Sequence, residues 1–411
     1  MLCLSYRSEA EFIRSIVGQI SSKLKDNCSI VYENGFDEIV THVEEIILCL
    51  DMNSNDVRFI GICGESGMGK TTVAGEVFDK ICNQFDACSF LENVEEVSEA
   101  CGLETLQEQL LCDISKRELD YQRKESKGAL RVRDVHNGTQ MIRNVLRGKK
   151  VLIVVDDVCK ERTLKKLVGN CDWFGPRSRI IVTTEDKHLL ESYEIQTVCK
   201  ATRLNNDEAL RLFSHYAYHK AHCENELLDL GKDFVTYALG IPLVLKVLGS
   251  YLFKRTKEEW ESALNQLKEI PNENILGILR LAYNGLEEFE KILFLDIACF
   301  FIGEDHNRVA DILESSKDNL KKLIDKSLIT IVGGKLCMHT LIKQMAQKIV
   351  HDESMELGRQ SRLWDCHVVL DVLKTNTVSG LLYRHKFREV YNSIIHASFC
   401  CIYTNFIVLG Y

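Results

Sequence analysis

A chain of 411 residues, 45% apolar and 27% charged with only 3 prolines, can bury several cores and lacks the composition of a long disordered linker. Its net charge of −9 excludes a general nucleic-acid binder, though not a local basic patch. The 17 cysteines are scattered without C-x-x-C pairs, which excludes a disulfide framework or zinc site and points to a reduced intracellular protein whose thiols mostly serve as small buried residues.

In chain order, residues 8–24 carry a helical stripe of Phe12, Ile13, Ile16, Val17 and Ile20, with no basic region and cleavage site of a secretory leader. Val43, Ile46, Ile47 and Leu50 make a second stripe. Four short apolar runs follow: Val57–Ile62, Cys88–Leu91, Val151–Val155 and Arg179–Val182. Val-Leu-Ile-Val-Val has no alternation, so both its faces are buried, as in a parallel sheet with helices on either side. After about residue 200 the texture is helical. Asn205 with Glu208 reads as a capping box, and a helix through Leu227, Phe234 and Ala238 stops at Gly240 before Pro242 starts the next. Gly333-Gly334 joins two short strands as a hairpin, and helices plus one hairpin suggest a winged helix. The fold class is therefore an α/β domain, a parallel sheet with flanking helices, followed by a helical domain and a winged-helix domain, and the G-x-x-x-x-G-K-T loop at 64–71 makes the first an α/β P-loop NTPase domain.

The chemistry starts at Gly64-Glu65-Ser66-Gly67-Met68-Gly69-Lys70-Thr71-Thr72, a G-x-x-x-x-G-K-[ST] loop set between a strand-like and a helix-like run. Gly64, Gly67 and Gly69 let backbone amides turn toward phosphate oxygens, and the following helix adds its positive end. Lys70 reaches the β and γ phosphates of a nucleotide, and Thr71 holds Mg²⁺. The apolar strand 151–155 ends in Asp156, expected to hold Mg²⁺ through water, and Asp157, a candidate to orient or activate attacking water. Ligands bind outside the carboxyl ends of such strands, which places Thr183, Thr184 and Glu185 near the γ phosphate.

These motifs resemble the NB-ARC module, the nucleotide switch of plant disease-resistance receptors. Phe90-Leu91-Glu92-Asn93-Val94, Val154-Val155-Asp156-Asp157-Val158, Ser178–Thr184, Gly240-Ile241-Pro242-Leu243, Leu295-Asp296-Ile297-Ala298-Cys299-Phe300-Phe301 and Met338-His339 occur in that module's order, and two of the segments look like the subclass with an N-terminal TIR domain. The resemblance covers roughly residues 8–379. It implies an ADP/ATP switch in which Lys70, Thr71 and Thr72 bind phosphate and Mg²⁺, Pro242 packs against adenine and His339 contacts the β phosphate. Read without it, Pro242 is a helix start and His339 a strand-end histidine.

The expected division is a helical linker over 1–50, a nucleotide-binding domain over 51–200, helical and winged-helix domains over 201–272 and 273–355, a linker over 356–380 and a divergent tail over 381–411. The chain has no room for a TIR domain before residue 50 and no leucine-rich repeats after 380, which suggests a receptor reduced to its switch core. Residues 392–411 are uncharged and long enough for a membrane anchor, but polar interruptions favour a soluble tail. Where the family usually has Arg and Asp, this chain has Glu185 and Thr340, so an ADP-preferring protein with little or no ATP turnover is expected. The expected partners are nucleotide and other receptor or pathogen-sensing chains, with neither nucleic acid nor membrane, in the cytoplasm and also the nucleus. A non-cycling adaptor or decoy is the alternative. A metabolic P-loop kinase would need an acceptor lid between 95 and 150, where the sequence is only polar and helix-like. DNA binding through the short basic face of Lys317, Lys321, Lys322 and Lys326 runs against the acidic chain.

Overall fold

The computed structural model describes residues 37–122, 131–195, 197–218, 225–270, 274–313, 317–353 and 361–362, so the stripe at 8–24 and the tail at 381–411 lie outside the described residues. The described residues fall into two compact units divided between Leu204 and Asn205.

In the first unit, helix α1 (Asp37–Leu50) precedes strand β1 (Arg58–Cys63), and the phosphate loop leads into α2 (Lys70–Ile81). Then come β2 (Ala87–Leu91), α3 (Val94–Cys101), α4 (Leu103–Gln122), α5 (Val135–Leu146), β3 (Val151–Val155), α6 (Glu161–Leu167), β4 (Arg179–Thr184), α7 (Lys187–Ser192) and β5 (Thr197–Lys200). The five strands form one parallel sheet in the order β2-β3-β4-β1-β5. Every residue of β3 and β4 is buried, as the unbroken apolar run of β3 requires. Val151, Ile153 and Val155 face a core with Leu110, Leu146 and Leu164, while Leu152 and Val154 face one with Ala74, Val77 and Ile81.

Helix α1 precedes the expected domain start at residue 51, yet Val43, Ile46 and Leu50 pack into the second of these cores. Arg179 ties it down. Its guanidinium is fully buried and donates to the carbonyls of Leu50, Asp51, Ser54, Asp56 and Ser178. Strand β5 was not among the apolar runs because its four residues form a half-exposed edge. The described cysteines also differ from expectation. All are reduced, but none is fully buried, and Cys101, Cys112, Cys159 and Cys171 are exposed. Branched aliphatic residues fill the core interior, and thiols such as Cys63 and Cys199 sit at the sheet's rim.

The second unit begins with α8 (Asn206–Tyr218), α9 (Asn225–Ala238), α10 (Pro242–Leu252) and α11 (Lys257–Lys268). The capping box forms: the amide of Asn205 donates to Glu208, and the amides of Asp207 and Glu208 donate to the Asn205 side chain. Trp260 is buried against Phe213 and Phe234, with ring centroids 5.8 and 5.7 Å away, and its indole N–H donates to the Leu252 carbonyl. There follow α12 (Ile275–Asn284), α13 (Glu288–Asp296), a π-helical turn at Ile297–Phe301, α14 (His306–Ile312), α15 (Lys317–Asp325), the antiparallel strands β6 (Thr330–Val332) and β7 (Lys335–Cys337), and α16 (Thr340–Asp352). The wing is anchored where the His306 amide donates to the Gly334 carbonyl. Among the described residues no helix is long and apolar enough to cross a membrane.

Candidate nucleotide site

The phosphate loop leaves the carboxyl end of β1 and closes on the N-terminus of α2. Gly67 and Gly69 have φ of 81° and 83°, left-handed values that a side chain strains to adopt. Gly64 is tight for another reason: a Cβ there would lie 2.8 Å from the Ala201 carbonyl oxygen. The loop is thus wrapped around the end of its own helix, where amides and the helix dipole favour an anion.

Lys70 is the first residue of α2 and is 8% exposed. Its ammonium donates to the carbonyls of Gly64 (2.8 Å) and Glu65 (3.0 Å) and lies 3.7 Å from the Glu185 carboxylate. Thr71 donates to both carboxylate oxygens of Asp156, at 2.9 and 3.1 Å. Thr183 donates to Asp156 Oδ1 at 2.6 Å and accepts from the Asp157 amide at 2.9 Å. Asp156 is fully buried, and burial pushes its carboxyl above the ordinary range despite these hydroxyls. Asp157 is shifted the same way by burial and by Asp156, and Glu92 likewise. Asp157 also holds a left-handed φ of 57°.

The structure therefore brings Lys70, Thr71, Asp156, Asp157 and Thr183 together at the carboxyl edge of the sheet. Thr72 follows on the first turn of α2, half-buried. Thr184 is differently employed. Its hydroxyl is buried, donates to the Val158 carbonyl at 2.6 Å and accepts from the Asp186 amide at 3.1 Å, so it fixes the chain at the end of β4. Glu185, expected near the γ phosphate, stands 3.7 Å from the Lys70 ammonium. Pro242 and His339 belong to the second unit. Pro242 opens α10 after left-handed Leu239 and Gly240. His339 is not a strand-end residue but the N-cap of α16, its Nδ1 accepting from the Leu341 amide at 3.1 Å. A ring that accepts at Nδ1 carries its proton on Nε2.

The donor set fits a nucleotide with Mg²⁺. A hydroxyl and a carboxylate are hard oxygen ligands, and Mg²⁺ takes one or two such groups with phosphates and water completing the shell. Among the described residues no cluster of three or more acidic, His or Cys side chains could hold a metal unaided. Sequence reasoning missed Thr183 as the residue that orients Asp156.

Comparison with known proteins agrees with this geometry. The NB-ARC domain family matches residues 39–223, and the winged-helix domain of the disease resistance protein Roq1-like family matches residues 287–354. Disease resistance protein RUN1 of Vitis rotundifolia is 40% identical over 80% of this chain, and TMV resistance protein N of Nicotiana glutinosa is 38% identical over 90%. The chain spans only 24% and 32% of the length of these two relatives. Among solved structures, a Signal Transduction ATPase with Numerous Domains from Pyrococcus horikoshii, carrying a tetratricopeptide repeat sensor, superposes with a TM-score of 0.50 at 17% identity, covering 93% of this chain and 50% of that one. That likeness is one of fold.

Proposed function

We propose that this chain, which belongs to the NB-ARC family of plant disease-resistance proteins, is the ADP/ATP-binding switch of an intracellular immune receptor. The supporting observation is Lys70 folded over the Gly64 and Glu65 carbonyls beside a Thr71 already joined to Asp156. In this reading the loop amides and the start of α2 hold phosphate oxygens, and Lys70 supplies the cation. Thr71, and Asp156 through water, hold Mg²⁺, with Thr72 on the phosphate beside them. Mg²⁺ at these residues would screen the charge of the phosphates. Asp157 orients water at the phosphate end, and Thr184 keeps the end of β4 in place. As the family resemblance implies, Pro242 is assigned to the adenine and His339, through its Nε2 proton, to a β phosphate, within a helical domain at 201–272 and a winged helix at 273–355. The partners are other receptor chains or pathogen-sensing proteins, in the cytoplasm and nucleus.

Mass spectrometry of the nucleotide retained by the purified chain tests this. ADP or ATP is expected with the parent and not with Lys70→Ala. A parent that retains neither and binds neither on titration refutes the reading. A non-cycling adaptor is the second reading, favoured by the Lys70–Glu185 contact, which occupies the cation that a γ phosphate would need. Nucleotide content after refolding with and without Mg²⁺ separates the two: content that changes with Mg²⁺ and with the nucleotide supplied supports the switch, and content that does not change supports the adaptor.

A further inference from the structure

We propose that Cys49 and Cys199 form a dithiol modification site, at which a low-molecular-weight disulfide is reduced and the two cysteines are joined as an intramolecular disulfide. The inference is independent of the nucleotide reading. Cys49 lies in the last turn of α1 and Cys199 in the edge strand β5. Their thiols are in hydrogen-bonding contact, and Glu45, one turn before Cys49 on the same helix, acts on Cys199 as well. The last turns of α1 therefore lie against β5, and both cysteines pack on one core with Ile46, Leu50, Ile60 and Ile62. Both backbones are fixed. The Cys49 carbonyl accepts from the Arg58 guanidinium at 3.4 Å and the Leu50 carbonyl from Arg179 at 2.6 Å. Cys199 is paired with Ile62 in the parallel ladder, and two residues on the Ala201 amide donates to the Cys63 carbonyl at 2.8 Å. Thiols held together in this way react with each other in preference to solutes. Both are half-buried, so they stand at the rim of the sheet and not inside its core.

The exchange runs in two steps, with oxidised glutathione as the small disulfide. Cys49, as its thiolate, attacks one sulfur of the disulfide. A bond forms between Cys49 and one glutathione, and the other leaves as a thiolate that takes up the proton Cys49 gave up. The Cys199 sulfur then loses its proton and attacks the Cys49 sulfur, which expels the second glutathione, and that thiolate takes up the second proton. Two protein thiols are oxidised, and one glutathione disulfide is reduced to two thiols. Burial foremost, and then the Cys49 and Glu45 side chains, push the Cys199 thiol up to about 12. Cys199 is thus a poor first nucleophile at neutral pH, which leaves Cys49 to open the small disulfide and Cys199 to resolve the adduct.

The test treats the full chain with oxidised glutathione, caps the remaining thiols with N-ethylmaleimide and maps the digested peptides by mass spectrometry without reduction. A peptide pair linked through Cys49 and Cys199 is expected, and dithiothreitol should reverse it. The oxidised parent should melt about 5 °C above the reduced one, because the link closes most of the first unit into one loop of the unfolded chain. Cys199→Ser should stop with glutathione held on Cys49, and neither it nor Cys49→Ser should gain in melting temperature on oxidation. Melting curves of the reduced variants check that they fold, and the peptide map of the parent decides the matter if they do not. Glutathione on Cys49 of the parent with no link to Cys199 overturns the proposal. So do links from either residue to other cysteines in place of this one, or both thiols still free for capping after the exposed Cys101 and Cys171 have reacted.

Discussion

Thr71 and Asp156 are joined by a forked hydrogen bond, the threonine Oγ1 lying 2.9 Å from one carboxylate oxygen and 3.1 Å from the other. The pair spans from the start of α2 to the end of β3, so the threonine orients the carboxylate. That orientation has a cost. Asp156 is fully buried, and burial raises its folded-state pKa above the unfolded value. A group shifted this way contributes stability below its unfolded pKa and loses it as pH rises through the folded one, so at neutral pH the ionised form destabilises the fold. Asp156→Asn keeps the shape and removes the charge. Its melting temperature without nucleotide at pH 7 should rise by about 2–4 °C for each kcal/mol relieved, and its melting should depend less on pH. Differential scanning calorimetry across that range checks this; a variant melting well below the parent contradicts it.

The same shift makes Mg²⁺ binding pH-dependent. A carboxyl that holds its proton more tightly must release it to help bind a cation. In the presence of ADP, apparent Mg²⁺ affinity should rise with pH through the raised pKa of Asp156 and then level off. Isothermal titration at several pH values in buffers of different ionisation enthalpy reads both the affinity and the released proton. Asp156→Asn should show neither the rise nor the release.

Lys70 carries the most direct test of the loop. Charge-assisted contacts from such a group are worth roughly 1.5–3 kcal/mol each. Lys70→Ala should therefore weaken ADP binding at least about tenfold, measured by fluorescence titration, while the fold persists, because the ammonium otherwise meets two carbonyls and a half-exposed carboxylate.

How much of this was legible in the sequence follows from which residues announce themselves. Strands β1 to β4 did, as short apolar runs, β3 most plainly because all five of its residues are apolar and buried, and Asp156 did because it ends that run. Strand β5 did not, being a short edge with a polar composition. Arg179 looked like the first residue of a strand, since arginine is rarely fully buried; only the three-dimensional path of the chain gathers five carbonyls around it. The Lys70–Glu185 contact joins two motifs far apart in sequence, and nothing local to either one specifies it. His339 was placed at a strand end because the hairpin signal was strong and the cap signal of a histidine is weak.

Arg179 is expected to be a determinant of stability. Burial lowers its pKa but leaves it charged, and its five donors are matched by carbonyls of Leu50, Asp51, Ser54, Asp56 and Ser178. Arg179→Ala strands those carbonyls and opens a cavity beside the end of α1, so unfolding stability should fall by about 3–5 kcal/mol. Arg179→Lys should recover only part of this, since an ammonium offers three donors and no planar fork. Urea denaturation followed by tryptophan fluorescence measures both; a lysine variant as stable as the parent would show that charge alone suffices.

His339 has two separable roles, and its variants can divide them. Its Nδ1 caps α16 through the Leu341 amide, which leaves the proton on Nε2. His339→Ala loses both nitrogens and should cost about 1 kcal/mol of stability, the usual cost of a missing cap. His339→Asn keeps a capping oxygen but has no Nε2–H to offer a phosphate. It should melt near the parent and yet release ADP faster in a stopped-flow chase. Thr340→Asp adds an acidic residue in the first turn of α16, beside the histidine, where the helix dipole favours it, and it can hold the ring through a charge-assisted contact. That variant should release ADP more slowly than the parent. If His339→Asn and the parent release ADP at the same rate, the histidine is a helix cap and nothing more, and its assignment to the β phosphate fails.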